Sequence, residues 1–234
     1  MPVEMDAGRH LFMVYAVPVA IIKEMEAAAR AGRSIDGLAE YMPPWLKELA
    51  GLLDQLISAE RRPDFRTALV AKARDWHVLD AAAWDRIHAA FLVACIAQAL
   101  KEAEAVQPQR LPAYRETIEA VCNDASAAVA GQGDLAAAHA AAWPWSASEG
   151  PLASQPPDMP AEATWAAKCA AEAAWAASAG EPWGTNSAAH SAAVVIWGDP
   201  GAWAANAWSL VGRLFSLFNA EFATAKGWRA PLRP

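Results

Sequence analysis

Residues 80–106 read DAAAWDRIHAAFLVACIAQALKEAEAV, and their spacing predicts a long helix at the centre of an all-α fold. At about 100° per residue, Trp84, His88, Phe91, Leu92, Cys95 and Ala99 share one broad face. Ile87, Val93 and Leu100 spread apolar surface round the other sides, and a helix that is apolar on most sides is one surrounded by others.

The sequence on both sides continues in the same idiom. Helical patterns run from Arg9 to Ala31, Pro44 to Arg61, Phe65 to Trp76, Pro112 to Ala130 and Asp134 to Ala142, then from Ala161 to Ala179, Ser187 to Trp197 and Gly201 to Lys226. Pro44 and Pro112 suit first turns, where a missing N–H costs nothing, and Gly131, Gly180 and Gly227 suit helix stops. Alternating β-branched runs are missing, and Asp36-Gly37 is an isolated hairpin-type dipeptide. In the last helix Ala207, Val211, Leu214, Phe215, Phe218 and Phe222 are expected to face inward, with Asn206, Ser209, Arg213 and Ser216 outward. The expected architecture is a multi-helix bundle of about eight or nine helices. Residues 1–234 are read as a single helical domain, with a possible subdivision into 1–78 and 79–234.

Two residue types dominate the expected core. Stretches such as AAAHAAAW and TWAAKCAAEAAWAASAG let helix backbones approach closely, and the chain holds 12 tryptophans, crowded toward its C-terminal part. Large Trp beside small Ala is one way to fill a helical core; the sharper alternative is a Trp-lined pocket or binding face. Residues 143–160, WPWSASEGPLASQPPDMP, carry five prolines and are expected to form a long surface loop.

The net charge of -7 disfavours a broad phosphate-binding surface or an anionic membrane surface, since both need exposed Lys and Arg. A basic protein is the natural electrostatic complement. Residues 11–22, LFMVYAVPVAII, are shorter than the ~20 residues that cross a bilayer and are bracketed by Glu4, Asp6, Lys23, Glu24 and Glu26. They read as a buried helix bent near Pro18, and a cytoplasmic location is expected. Cys95, Cys122 and Cys169 are widely spaced in helical patterns and read as buried free thiols rather than a disulfide framework or zinc knuckle.

The familiar catalytic and cofactor motifs are missing: no phosphate-cradling loop, dinucleotide fingerprint, His-Glu-x-x-His or Gly-x-Ser-x-Gly. Asp85 and His88 have the spacing of half a carboxylate-bridged di-metal site. Ala136 and Ser187 precede His139 and His190 where a second carboxylate would stand. No metal and no cofactor are therefore expected, and His88 is read as a core histidine with a hydrogen-bonded partner. Lys168 and Glu172 project within about a quarter turn of Trp165, as a marginal surface pair or as a polar spot in a Trp-walled pocket.

From about Ala97 to Trp197 the chain resembles a helical family of bacterial immunity proteins, the type similar to class five polymorphic-toxin immunity proteins. The resemblance rests on RLPAYRETIEAVCNDASAAVAGQGDLAAAHAAAW (110–143), TWAAKCAAEAAWAASAG (164–180) and NSAAHSAAVVIW (186–197). It implies an inhibitor that binds a toxin, without fixing a contact residue.

The expected function is accordingly non-enzymatic: an immunity-type protein neutralising a basic, toxin-like partner, and binding neither nucleic acid nor membrane. Trp143, Trp145, Glu149 and Asp158 are the candidate partner-binding residues, Trp for apolar area and the acids for a basic rim. The rival is a helical enzyme or small-molecule-binding protein whose pocket is built from His139, Trp165, Glu172, Trp175 and His190. A structural component of a larger bacterial assembly is the third reading.

Overall fold

The computed structural model describes residues 15–106, 112–146, 161–180, 182–196 and 198–227. Among the described residues there are nine α-helices and no strand: α1 (Val19–Arg30), α2 (Pro44–Leu56), α3 (Arg62–Ala73), α4 (Ala81–Val106), α5 (Pro112–Val129), α6 (Leu135–Ser146), α7 (Ala161–Ala179), α8 (Pro182–Ala193) and α9 (Pro200–Ala225). Short 3-10 helices at Asp36–Tyr41, Ala59–Arg61 and Trp76–Val78 link the first four. No described helix is long and apolar enough to cross a membrane.

Two helices form the middle of the molecule. α4 packs against α5, α7, α8 and α9, as its all-round apolar surface requires, and α7 packs against α4, α5, α6 and α8. The buried surface of α7 is made of alanines and one thiol: Ala163, Ala166, Ala167, Cys169, Ala170, Ala171, Ala173, Ala174 and Ala176 are all 0% exposed. Methyl-sized side chains bring four neighbouring backbones close to one helix, and close-packed interiors leave no space between them for an indole.

The seam between α7 and α8 shows how little room remains. After Gly180, whose φ of +64° turns the chain back, α8 lies with Gly184 against α7. A Cβ at Gly184 would sit 2.9 Å from Ala176 Cβ and 3.0 Å from both Ala176 Cα and Trp175 Cε3. Backbone cannot yield as the tip of a flexible side chain would. Gly184→Ala is therefore expected to cost about 2 kcal/mol of overpacking. Chemical denaturation measures it, and a variant as stable as the parent would show that the two helices separate freely.

The large aromatic core lies elsewhere, around the first half of α4. Trp84 is its hub: edge-on packing relates its ring to Tyr15 at 5.3 Å, Trp45 at 6.3 Å, Trp76 at 5.8 Å and Phe218 at 5.6 Å. Phe222 stacks on Phe218 at 6.0 Å. The indole N–H groups of Trp76 and Trp84 are buried without a hydrogen-bond acceptor. Neighbouring ring faces offer an N–H only partial compensation.

This arrangement revises the expected Ala/Trp core. Trp45, Trp76 and Trp84 are the buried indoles, whereas Trp143, Trp145, Trp165, Trp175, Trp183, Trp203 and Trp208 are half-buried or exposed. Trp197 lies outside the described residues. Trp165, Trp175 and Trp183 stand on the helices of the alanine seam but outside its interior, which is too tight to hold an indole, whereas Trp208 packs beside Arg61.

Other boundaries shift for local reasons. Residues 15–18 are not helical, and Pro18 (φ -57°, ψ 140°) is the residue before α1 rather than a bend within it. Helix α8 starts at Pro182, five residues earlier than the spacing suggested, with proline in its first turn. Helix α6 runs through Pro144 to Ser146, so Trp143 and Trp145 stand in its last turn and not in a loop. Asn206 faces inward, 6% exposed, donating to the Ala193 carbonyl at 3.2 Å and accepting from Gln98 at 3.3 Å. With α4 and α8 both against α9, the buried arc is wider than one amphipathic stripe.

Polar fastenings complete the fold. Asp199 caps α9 by accepting from the backbone N–H groups of Gly201 and Ala202 at 2.9 and 3.0 Å. Arg66 on α3 grips Asp54 on α2 with two hydrogen bonds, 2.8 and 2.7 Å, and donates to the Gly32 carbonyl at 2.7 Å beyond the end of α1. One guanidinium thereby ties three helices together.

Candidate functional site

The richest group of ionisable side chains among the candidates lies along the α7–α8 seam. Helical spacing puts Trp165, Lys168 and Glu172 on neighbouring turns of α7, and α8 brings His190 and Ser191 against them. The Lys168 ammonium stands 4.6 Å above the Trp165 ring, whose edge meets the His190 ring at 6.2 Å. Glu172 is mostly buried and accepts a hydrogen bond of 2.6 Å from the Ser191 hydroxyl. Burial raises the Glu172 carboxyl above the usual range, against the opposing pull of Ser191 and of the Lys168 charge. Burial, then the same Lys168 charge, lowers His190 below the usual imidazole value.

Of the sequence-derived pocket residues, the structure therefore unites Trp165, Glu172 and His190. Trp175 lies further along α7, its ring 4.1 Å from that of Trp183 on α8. His139 pairs with Trp143 on its own helix, rings 5.5 Å apart. The seam cluster has hydroxyl, carboxylate and imidazole together, but Ser191 is 1% exposed and donates to the carboxylate rather than to the histidine. A serine nucleophile needs a base to take its proton and a path for substrate. This geometry supplies a buried polar tie between helices.

A second polar cluster was legible only in part. His88, half-buried on its helix, meets the Thr185 hydroxyl at 2.6 Å and stacks on Trp45 at 4.7 Å. It is the core histidine with a hydrogen-bonded partner that the sequence suggested, and the partner comes from α8 rather than from Asp85. Burial lowers its pKa to about 4, so the ring is neutral near pH 7. Among the described residues no three His, Cys, Asp or Glu side chains converge as a metal site would need.

The cysteines are buried free thiols, as expected. Burial pushes all three up, and Cys169 also feels Cys95, Cys122 and Glu172, so none is a thiolate nucleophile at neutral pH.

The candidate interface residues divide. Trp143 is 54% exposed at the end of α6, Trp145 is half-buried beside it, and Glu149 and Asp158 lie outside the described residues. Trp183, also 54% exposed, was not singled out from the sequence. Its position directly after Pro182, at the start of a helix, was the available signal, because first-turn side chains have no preceding turn to cover them. Two open grooves lie elsewhere on the described surface. One, of about 490 Å³, lies among the Asp36–Tyr41 turn, α2 and α3 beside the Arg66–Asp54 pair. The other, of about 480 Å³, lies between α4 and α9. Comparison of the chain with protein-family models, curated proteins and solved structures finds no match.

Proposed function

We propose that this chain is a non-enzymatic protein-binding protein, an immunity-type inhibitor that neutralises a cognate bacterial toxin by occupying it. The observation that carries this reading is the exposure of Trp143 and Trp183, each 54% open to solvent. Trp is among the residue types most enriched at interface hot spots, and each exposed indole offers a large rigid anchor. The net charge of -7 favours a basic partner and speeds its approach at low salt. On this reading the protein works in the cytoplasm and contacts neither nucleic acid nor membrane. The pocket alternative has weaker support, since Glu172 and Ser191 satisfy each other inside the seam.

The test starts with the tagged full chain, used to capture proteins from its source organism at low and at high salt. The expected result is one basic protein, retained less well as salt rises, whose expression alone arrests growth and whose toxicity co-expression of this chain relieves. A captured protein without toxicity, or one held equally well by a Trp143→Ala/Trp183→Ala variant, would overturn the reading.

A further inference from the structure

We infer that the groove between α4 and α9 is a binding site for an anionic amphiphile: an acyl-type chain lying along the helices with its carboxylate at the cationic rim. Helices α4 and α9 run antiparallel, as the cross-contacts Arg86–Glu221 at 2.7 Å and Gln98–Ser209 at 3.2 Å require. Between these contacts the helices leave an open volume of about 480 Å³, within the range of small-molecule sites. Its floor is Ala90, Val93, Ala94 and Ala97 from α4 and Leu217 from α9. The α4 wall from Ala90 to Lys101 extends about 16 Å at the helical rise per residue, a length suited to an extended chain rather than to a compact polar metabolite.

Charge decides which amphiphile fits. The chain as a whole is acidic, yet both ionic side chains lining this groove, Lys101 and Arg213, are cations. Among the described residues Arg213 has no carboxylate within ion-pair distance. The nearby Glu102 is already engaged, accepting from Gln98 at 2.8 Å and lying 3.8 Å from Lys101. Gln98 is held in turn by Ser209 and Asn206, so the polar end of the groove is fixed before any ligand arrives. An anion is drawn to this rim and repelled by most of the remaining surface.

Isothermal titration of the full chain with dodecanoate and with dodecylammonium, both below micelle-forming concentration, tests the assignment. Dodecanoate should bind at one site and dodecylammonium roughly tenfold more weakly or not at all. Arg213→Gln, an exposed change that should leave the melting temperature unaltered, is expected to weaken dodecanoate about tenfold. Ala94→Trp, which fills the floor with an indole, should abolish binding while the chain still melts cooperatively. Absence of dodecanoate binding, equal binding of the two amphiphiles, or parental affinity in either variant would overturn the proposal. None of these outcomes depends on whether the protein also inhibits a toxin.

Discussion

Trp84→Ala is expected to lower the unfolding free energy by about 4 kcal/mol, within the usual range for truncating a buried aromatic. The ring is 4% exposed and meets four other aromatic rings edge-on, contributed by the segment before α1, by α2, by the turn before α4 and by α9. Its removal leaves a void that no single neighbour can fill, because Trp76 and Phe218 are themselves fixed at 0% exposure. The loss of edge-to-face contacts adds to the loss of buried area. Urea denaturation followed by Trp fluorescence and by circular dichroism would measure it. A cost below about 1 kcal/mol, the scale of an ordinary surface change, would mean that the aromatic hub is not the anchor between the N-terminal helices and α9.

Acid should destabilise the protein through His88 by about 3 kcal/mol between pH 7 and pH 4, a size that follows from a folded pKa near 4 against 6.5 in the unfolded chain. The folded state holds the ring neutral against Trp45 and Thr185, so the unfolded state binds the proton first. This contribution is fully present above pH 6.5 and is lost as pH falls toward 4. His190, lowered by burial and by Lys168, adds in the same direction. Glu172 acts oppositely: its raised carboxyl is favoured protonated in the fold, so its contribution grows on acidification. Comparing the pH dependence of unfolding in the parent and in His88→Gln isolates the imidazole. The stability difference between them should shrink by about 3 kcal/mol from pH 7 to pH 4, and a constant difference would show that His88 is solvated in the fold.

Much of the helical layout was legible because it is local. The quoted central stretch becomes α4 within one residue of its expected start, and the Ala161–Ala179 pattern becomes α7 with both ends as read. Helix stops marked by glycine and starts marked by proline depend on backbone sterics that neighbours in sequence decide. Which face of a helix is buried depends on its partners, and there the reading failed in instructive places. Asn206 looked solvent-facing on a single amphipathic wheel, yet α8 and α4 together enclose it and give its amide two partners. The tryptophan count drew attention to the C-terminal part, but an alanine seam excludes indoles for the same reason that it brings backbones close. Gly184 was unremarkable as a letter and is decisive as a contact with Ala176.

The candidate site was legible to a similar depth. Helical spacing placed Lys168 and Glu172 near the Trp165 side of α7; the Lys168 ammonium lies over the Trp165 ring, and His190 meets that ring through the α7–α8 pairing. Spacing along one helix could not reveal Ser191 as the carboxylate's partner, because that contact crosses between helices. Nor could it separate Trp175, which turns toward Trp183, from Trp165 nearly three turns before it.

The most direct test of the protein-binding account is the dissociation rate of the complex with the captured basic partner, measured for the parent and for the Trp143→Ala/Trp183→Ala variant. The account predicts dissociation faster by roughly thirtyfold, corresponding to about 2 kcal/mol for losing interface anchors, with a nearly unchanged association rate. A double variant that dissociates at the parental rate while folding normally would contradict it.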